Sequence, residues 1–227
     1  MKYNNIVEGV FISRPNRFIA LVEIEGKEET VHVKNTGRCR ELLLPGAKVY
    51  LQRSDNPARR TAYDLISVEK ATERGNVLIN MDSQVVNDVA GEYLAKLFPR
   101  ATIKREVKYN SSRFDFYIED GEKKIFVEAK GVTLEHNGTA SFPDAPTERG
   151  VKHIYELCSA LDEGYSCCVL FIIQMKGISH LVPNDATHRE FGDALRYAHK
   201  KGVKIISVDC IIGRDEILFD KEIEVIL

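Results

Sequence analysis

Arg113-Phe114-Asp115-Phe116-Tyr117-Ile118-Glu119-Asp120-Gly121-Glu122-Lys123-Lys124-Ile125-Phe126-Val127-Glu128-Ala129-Lys130 reads as two strands about a tight turn. Asp120-Gly121 between two apolar runs is a two-residue hairpin signal. That turn sets Glu119 opposite Glu122, Asp115 opposite Phe126 and Arg113 opposite Glu128. Paired residues share a sheet face, and so do residues two apart. Arg113, Asp115, Glu128 and Lys130 therefore fall on one face. Asp115 and Glu128 become diagonal neighbours, about 7–8 Å apart at Cα. A slip of one residue would place them on opposite faces.

Two carboxylates at that separation suit one hard cation. Mg²⁺ takes carboxylate oxygens, waters and substrate phosphates. It acidifies bound water and offsets charge on a phosphoryl transition state. A lysine beside it can orient the attacking water, and Arg113 can meet the phosphate. The set suits phosphodiester hydrolysis. The same alternation also describes a solvated strand face with cross-strand ion pairs. A cleft is favoured by the neighbours: Phe114, Phe116, Ile125 and Val127 form one apolar face, while Tyr117 and Phe126 join the charged one.

Outward from the hairpin, the chain has two textures. Before residue 83 it offers short strands: Val7–Ile12, Phe18–Ile24, Thr30–Val33, Lys48–Gln52, Asp64–Glu69 and Asn76–Asn80. Turn signals such as Asn35-Thr36-Gly37 and Pro45-Gly46 separate them, and Arg38–Leu44 reads as a helical piece. Such spacing suggests a small barrel. After residue 83 helices appear. Val85, Val89, Tyr93 and Leu97 stripe the first. Strands Ile103–Lys108, Phe114–Ile118 and Lys124–Lys130 follow. A helix capped by Thr147 carries Val151, Ile154, Cys158 and Leu161. Strand Cys167–Gln174, helix Asp185–Lys201 and strand Val203–Cys210 complete the pattern. The expectation is an α/β fold with a small all-β domain: an OB-like barrel over residues 1–82, then a mixed sheet flanked by helices over 83–227.

Composition excludes other classes. The 227 residues carry a formal charge of −2, with 44% hydrophobic and 29% charged residues, so the chain is neither disordered nor a basic tail protein. Residues 1–82 hold 13 basic and 11 acidic side chains, and 83–227 hold 19 and 23. Met1–Pro15 shows no apolar signal-peptide core, and no apolar run is long enough to span a bilayer. Five cysteines without a CxxC read as buried thiols in a reducing cytoplasm rather than a zinc site. HExxH, the Walker loop, GxGxxG and GxSxG are absent.

An Asp followed on the next strand by Glu-x-Lys, after a helix bearing Glu92, resembles the PD-(D/E)xK nuclease superfamily. Phe114 stands where that family has proline. The resemblance is closer to the sugar fermentation stimulation protein family. It is carried by Asn35-Thr36-Gly37-Arg38, Asp82-Ser83-Gln84, Arg105–Tyr109, Ser112–Phe116, Val127–Leu134 and Phe142–His153. It implies an OB-like first domain and a restriction-endonuclease-like second one. It implies DNA binding with little sequence preference and a tie to sugar metabolism. It implies metal ligation by Asp115, Glu128 and Glu92, with Lys130 catalytic and Mg²⁺ or Mn²⁺ as cofactor.

Arg149, Lys152 and His153 begin the helix after the hairpin, off its apolar stripe, where backbone N–H groups attract phosphate. Arg38, Arg40, Arg59 and Arg60 offer a basic surface on the barrel, with Phe18, Tyr50 and Tyr63 as aromatics. Gln174 ends its strand or reaches the cleft. The expected protein is cytoplasmic, binds DNA and cleaves it with a divalent metal. The alternative is a non-catalytic DNA-binding regulator with a relict site. RNA or single strands as partner, and a homodimer, stay open.

Overall fold

The computed structural model describes residues 1–35, 37–73 and 75–227. Thr36, part of one turn signal and one family-like stretch, lies outside them.

Six strands form the first layer: β1 (Ile6–Asn16), β2 (Ile19–Ile24), β3 (Lys27–Val33), β4 (Lys48–Arg53), β5 (Tyr63–Thr72) and β6 (Gly75–Asn80). Their order is β3-β2-β1-β4-β5-β6, and a parallel pairing of β3 with β5 closes the sheet on itself. Closure removes free edges. Alternate residues such as Ala20, Val22 and Ile24 fill the interior, as period-2 strands require. This is the expected OB domain. The expected helix over 38–44 is only a turn, with Leu42 and Leu43 N–H both reaching Cys39 O. Cys39 has φ +45°, and Pro45 stops further winding. Cys39, Leu42 and Leu43 instead plug the barrel core.

Three helices and nine strands follow: α1 (Val86–Leu97), β7 (Thr102–Tyr109), β8 (Ser112–Asp120), β9 (Lys123–Val132), β10 (Leu134–His136), β11 (Thr139–Phe142), α2 (Glu148–Asp162), β12 (Ser166–Ile173), β13 (His180–Pro183), α3 (Asp185–Lys201), β14 (Lys204–Ile212) and β15 (Ile217–Val225). They build one mixed sheet, β10-β11-β13-β15-β14-β12-β9-β8-β7. β12 lies inside it, parallel to both β9 and β14. Both its faces are buried. Cys168, Leu170 and Ile172 face α1, while Cys167, Val169, Phe171 and Ile173 belong to the cluster holding α2 and α3. That second cluster continues into the barrel through Phe11, Val22, Leu51 and Leu65. A Lys70–Glu135 ion pair at 2.6 Å ties β5 to β10. Among the described residues no helix is long and apolar enough to cross a membrane.

The hairpin register differs from the expected one. Asp120 pairs with Lys123, Glu119 with Lys124 and Tyr117 with Phe126. Gly121 takes the left-handed conformation at the corner, φ +60°. Partners move by two residues, so face parity survives. Phe114, however, leaves its expected face. Phe116 packs with Val127 against α1, whereas Phe114 packs on Phe126 and His153, on the α2 side. The alternation of β8 thus breaks at Asp115. The ladder to β9 ends beside it, at Phe116–Val127. Opposite, Glu106 of β7 adopts φ +55°, a conformation non-glycine residues rarely take, and no pair joins Glu106 to Asp115.

Candidate active site

The break in β8 and the start of α1 together hold Asp115. Its Oδ2 accepts the Ala129 N–H at 2.8 Å, and its Oδ1 accepts Asn87 Nδ2 at 2.9 Å. Burial, and then the nearby Glu128 charge, push its carboxyl above the ordinary aspartate range. Glu128, 3% exposed, points from β9 toward α2. Its Oε1 accepts from His153 Nδ1 at 2.5 Å and from Lys130 Nζ. Burial alone would raise its pKa, but His153 and Lys130 outweigh burial and hold it below the usual glutamate value. Two neighbouring carboxyls are thereby driven apart in acidity.

The second oxygen, Glu128 Oε2, is buried and has no hydrogen-bond partner. An orphaned carboxylate oxygen is costly unless something completes it. Asp115, Glu128 and Lys130 share a cleft of about 380 Å³ with Asn87, Arg149 and Gln174. Among the described residues no three His, Cys, Asp or Glu side chains assemble into a metal cage. The donor set is two carboxylates, with further positions left for water or substrate oxygens, which suits a Mg²⁺-like ion.

Local sequence explains the shape. Gly131 follows Lys130 because a Cβ there would stand 2.6 Å from both Gln174 Oε1 and Val86 Cγ2. Only glycine lets α1 and Gln174 approach β9 so closely. Gln174 ends β12 and also reaches the cleft, donating to Asn80 Oδ1 and Asp82 O at 3.0 Å. Thr147 caps α2 by accepting Gly150 N–H at 3.1 Å.

Three expectations need correction. Glu92 does not reach the carboxylates; it is 45% exposed and pairs with the Met1 ammonium at 3.2 Å. Five residues turn it about 140° around α1 from Asn87, which does reach them. His153 is no exposed phosphate contact. It is 4% exposed, and its position in register with Gly150 and Leu157 buries it against Phe114. Arg149 Nε donates to its Nε2 at 3.3 Å, so the proton on Nδ1 faces Glu128. Arg59, expected on the basic surface of the barrel, is taken up by an acid: it grips buried Asp64 with two bonds, 2.6 and 2.9 Å. Arg60 is exposed on the barrel.

The remaining basic residues flank the cleft. Arg113, Arg149 and Lys152 line an adjoining depression of about 620 Å³. Arg38 and Arg40, with Arg17, line another of about 730 Å³ between barrel and sheet. Arg149 borders the cleft and the first depression, while Asp144 and Thr147 border the cleft and the second, so the three form one track. Arg14 pins its barrel side, donating to the carbonyls of Arg17, Asn35 and Arg38. Asn87 and Asp144 carried no distinguishing signal; Asn87 is an ordinary polar residue at a helix start.

Residues 81–216 match the sugar fermentation stimulation protein RE domain, and residues 12–81 match the SfsA N-terminal OB domain. Sugar fermentation stimulation protein homologues from Clostridium beijerinckii and Ruminiclostridium cellulolyticum are 56% and 55% identical, covering 100% and 99% of both chains. One from Desulfitobacterium hafniense is 60% identical over 96% of this chain and 94% of its own. The structure of SfsA from Pyrococcus furiosus in complex with Ca²⁺ superposes with a TM-score of 0.88 at 27% identity, covering 100% of this chain and 98% of that one.

Proposed function

The chain belongs to the sugar fermentation stimulation protein family, and from that premise we propose that it is a cytoplasmic DNA-binding protein that hydrolyses phosphodiesters with Mg²⁺ or Mn²⁺ and little sequence preference. The observation that carries this reading is Glu128 Oε2, a buried carboxylate oxygen left bare beside Asp115. Asp115 and Glu128 would hold the ion. The Ca²⁺ complex of the Pyrococcus furiosus protein supports oxygen ligation in this fold, since Ca²⁺ and Mg²⁺ both take oxygen ligands. Bound there, the ion acidifies water and offsets charge on the phosphoryl oxygens.

The chain's own residues do the rest. His153 and Lys130 hold Glu128 ionised and fix which oxygen is free. Asn87 and the Ala129 N–H fix Asp115. Lys130, on the cleft wall, orients the attacking water. The track lined by Arg17, Arg38 and Arg40 at one end and Arg113 and Lys152 at the other grips the backbone without reading bases. The link to sugar use rests on the family's name.

The test is cleavage. Plasmid, single-stranded DNA and RNA are incubated with Mg²⁺, Mn²⁺ or chelator. We expect metal-dependent cleavage, lost in Asp115→Asn and Lys130→Ala. Cleavage unchanged in both variants overturns the mechanism; binding without cleavage under every condition favours a non-catalytic regulator.

A further inference from the structure

The depression beside the carboxylates holds four cations and almost no counter-charge. Lys108, Arg113, Arg149 and Lys152 line it. Among the described residues the nearest carboxylate oxygens are 3.9 Å from Lys152 (Glu156) and 4.0 Å from Arg113 (Glu106); no ion pair joins Lys108 or Arg149 to any carboxylate. Glu148, the one acid on the lining, is 89% exposed and turned to His188. The depression also holds a polar group that is buried yet unused. Ser112 is 7% exposed and lines it, and its Oγ has no hydrogen-bond partner. Buried hydroxyls are normally paired. A hydroxyl that can donate, among cations with almost no counter-charge, is complementary to an oxyanion.

Resting on the phosphodiesterase reading, the geometry points to a phosphate subsite here, formed by Ser112, Arg113, Arg149 and Lys152, that takes the phosphodiester neighbouring the one held at Asp115 and Glu128. Ser112 and Asp115 lie three steps apart along β8, with two residues between them, about 10 Å at strand rise. That is the reach of an adjacent linkage rather than of the same phosphate. Arg149 borders both spaces and would touch both. Its guanidinium is already directed by the His153 ring, so the buried relay that fixes Glu128 also aims the cation between the two phosphates. A nucleotide lacking that second phosphate would be held by one contact set only.

The experiment is a coupling measurement in Ca²⁺ with labelled trinucleotides, too short to bind in several registers, each with one of the two linkages replaced by a neutral methylphosphonate. Binding is read for wild type, Arg113→Gln/Lys152→Gln, Ser112→Ala and Asp115→Asn. Arg113 and Lys152 are exposed, so their replacement leaves the fold intact. In wild type neutralising the subsite linkage, beside the one held at the ion, should weaken binding about tenfold, as for loss of a charge-assisted contact. In the double variant that position should no longer matter, and the slope of log K against log salt should fall by about 0.7, the value for one phosphate on a single strand. Asp115→Asn should keep the coupling. Binding in which the same linkage matters equally in the double variant, or in which no linkage stands out, overturns the subsite and leaves the metal reading intact. Coupling found without cleavage by wild type supports the subsite and overturns the phosphodiesterase. No binding of any strand overturns both.

Discussion

His153 grips Glu128 by one oxygen only: Nδ1 stands 2.5 Å from Oε1, Lys130 shares that oxygen, and Oε2 is left bare. The carboxylate is therefore ionised, oriented and half-used. Removing its holder and removing what completes it have different consequences.

Adding Mg²⁺, Mn²⁺ or Ca²⁺ should stabilise the fold, because an ion that binds only the native state adds about 2.7 kcal/mol at a hundred times its Kd. For a chain of this size that is about 5–10 °C in Tm. Thermal denaturation with and without metal checks it. Asp115→Asn and Glu128→Gln should melt at the same temperature in both conditions. An equal metal-induced rise in both variants would place the ion elsewhere.

His153→Ala should cost about 1–3 kcal/mol by leaving a buried carboxylate short of a donor. Metal affinity should also fall, by about 10–100-fold, as when a residue behind a ligand is lost. Calorimetric titration reads the second effect separately from stability. Wild-type affinity in the variant would reduce His153 to packing.

Acid should unfold the protein partly through Asp64. Burial alone would raise its carboxyl, but Arg59, His32 and Lys34 outweigh burial and hold it down at about 2, against 3.8 ordinarily. A folded-state pKa below the unfolded one means stability present above pH 4 and lost as pH falls from about 4 toward 2. The shift corresponds to about 2 kcal/mol. In Asp64→Asn this contribution should be missing at neutral pH, and urea unfolding at pH 7 and pH 3 should show a smaller difference than in wild type.

All five thiols should be silent toward an aromatic disulfide reagent in the folded protein. Cys39, Cys158, Cys167, Cys168 and Cys210 are buried and unpaired. Burial pushes Cys39, Cys167, Cys168 and Cys210 up to about 12, so almost no thiolate is present at neutral pH. Denatured protein should release five equivalents. A rapid equivalent in native buffer would contradict their burial.

The hairpin shows how much of the site the sequence carried. Asp120-Gly121 located the turn, although the corner closes on Gly121-Glu122 and every partner moves by two. A shift of two preserves faces, so Asp115, Glu128 and Lys130 still meet in one cleft. Phe114 was misplaced because the break in β8 depends on the backbone of Glu106, a conformation that side-chain pattern does not encode. The burial of His153 is not legible in the sequence, because histidine counts as polar in any periodicity and only its partner Glu128, 25 residues away on strand β9, explains it. Strands β10, β11 and β13 escaped because three or four residues cannot show alternation, and β15 because its Asp220, Lys221 and Glu222 interrupt the apolar pattern.

The apolar cluster that passes from the barrel into the sheet fixes the distance between them. Domains that move usually meet through small polar contacts; here a shared interior and the Lys70–Glu135 tie hold the two together. The part of the track between them is a calliper set once, at folding, rather than a jaw that closes. Whatever enters it is selected by its cross-section, and little conformational freedom remains to be lost when it arrives.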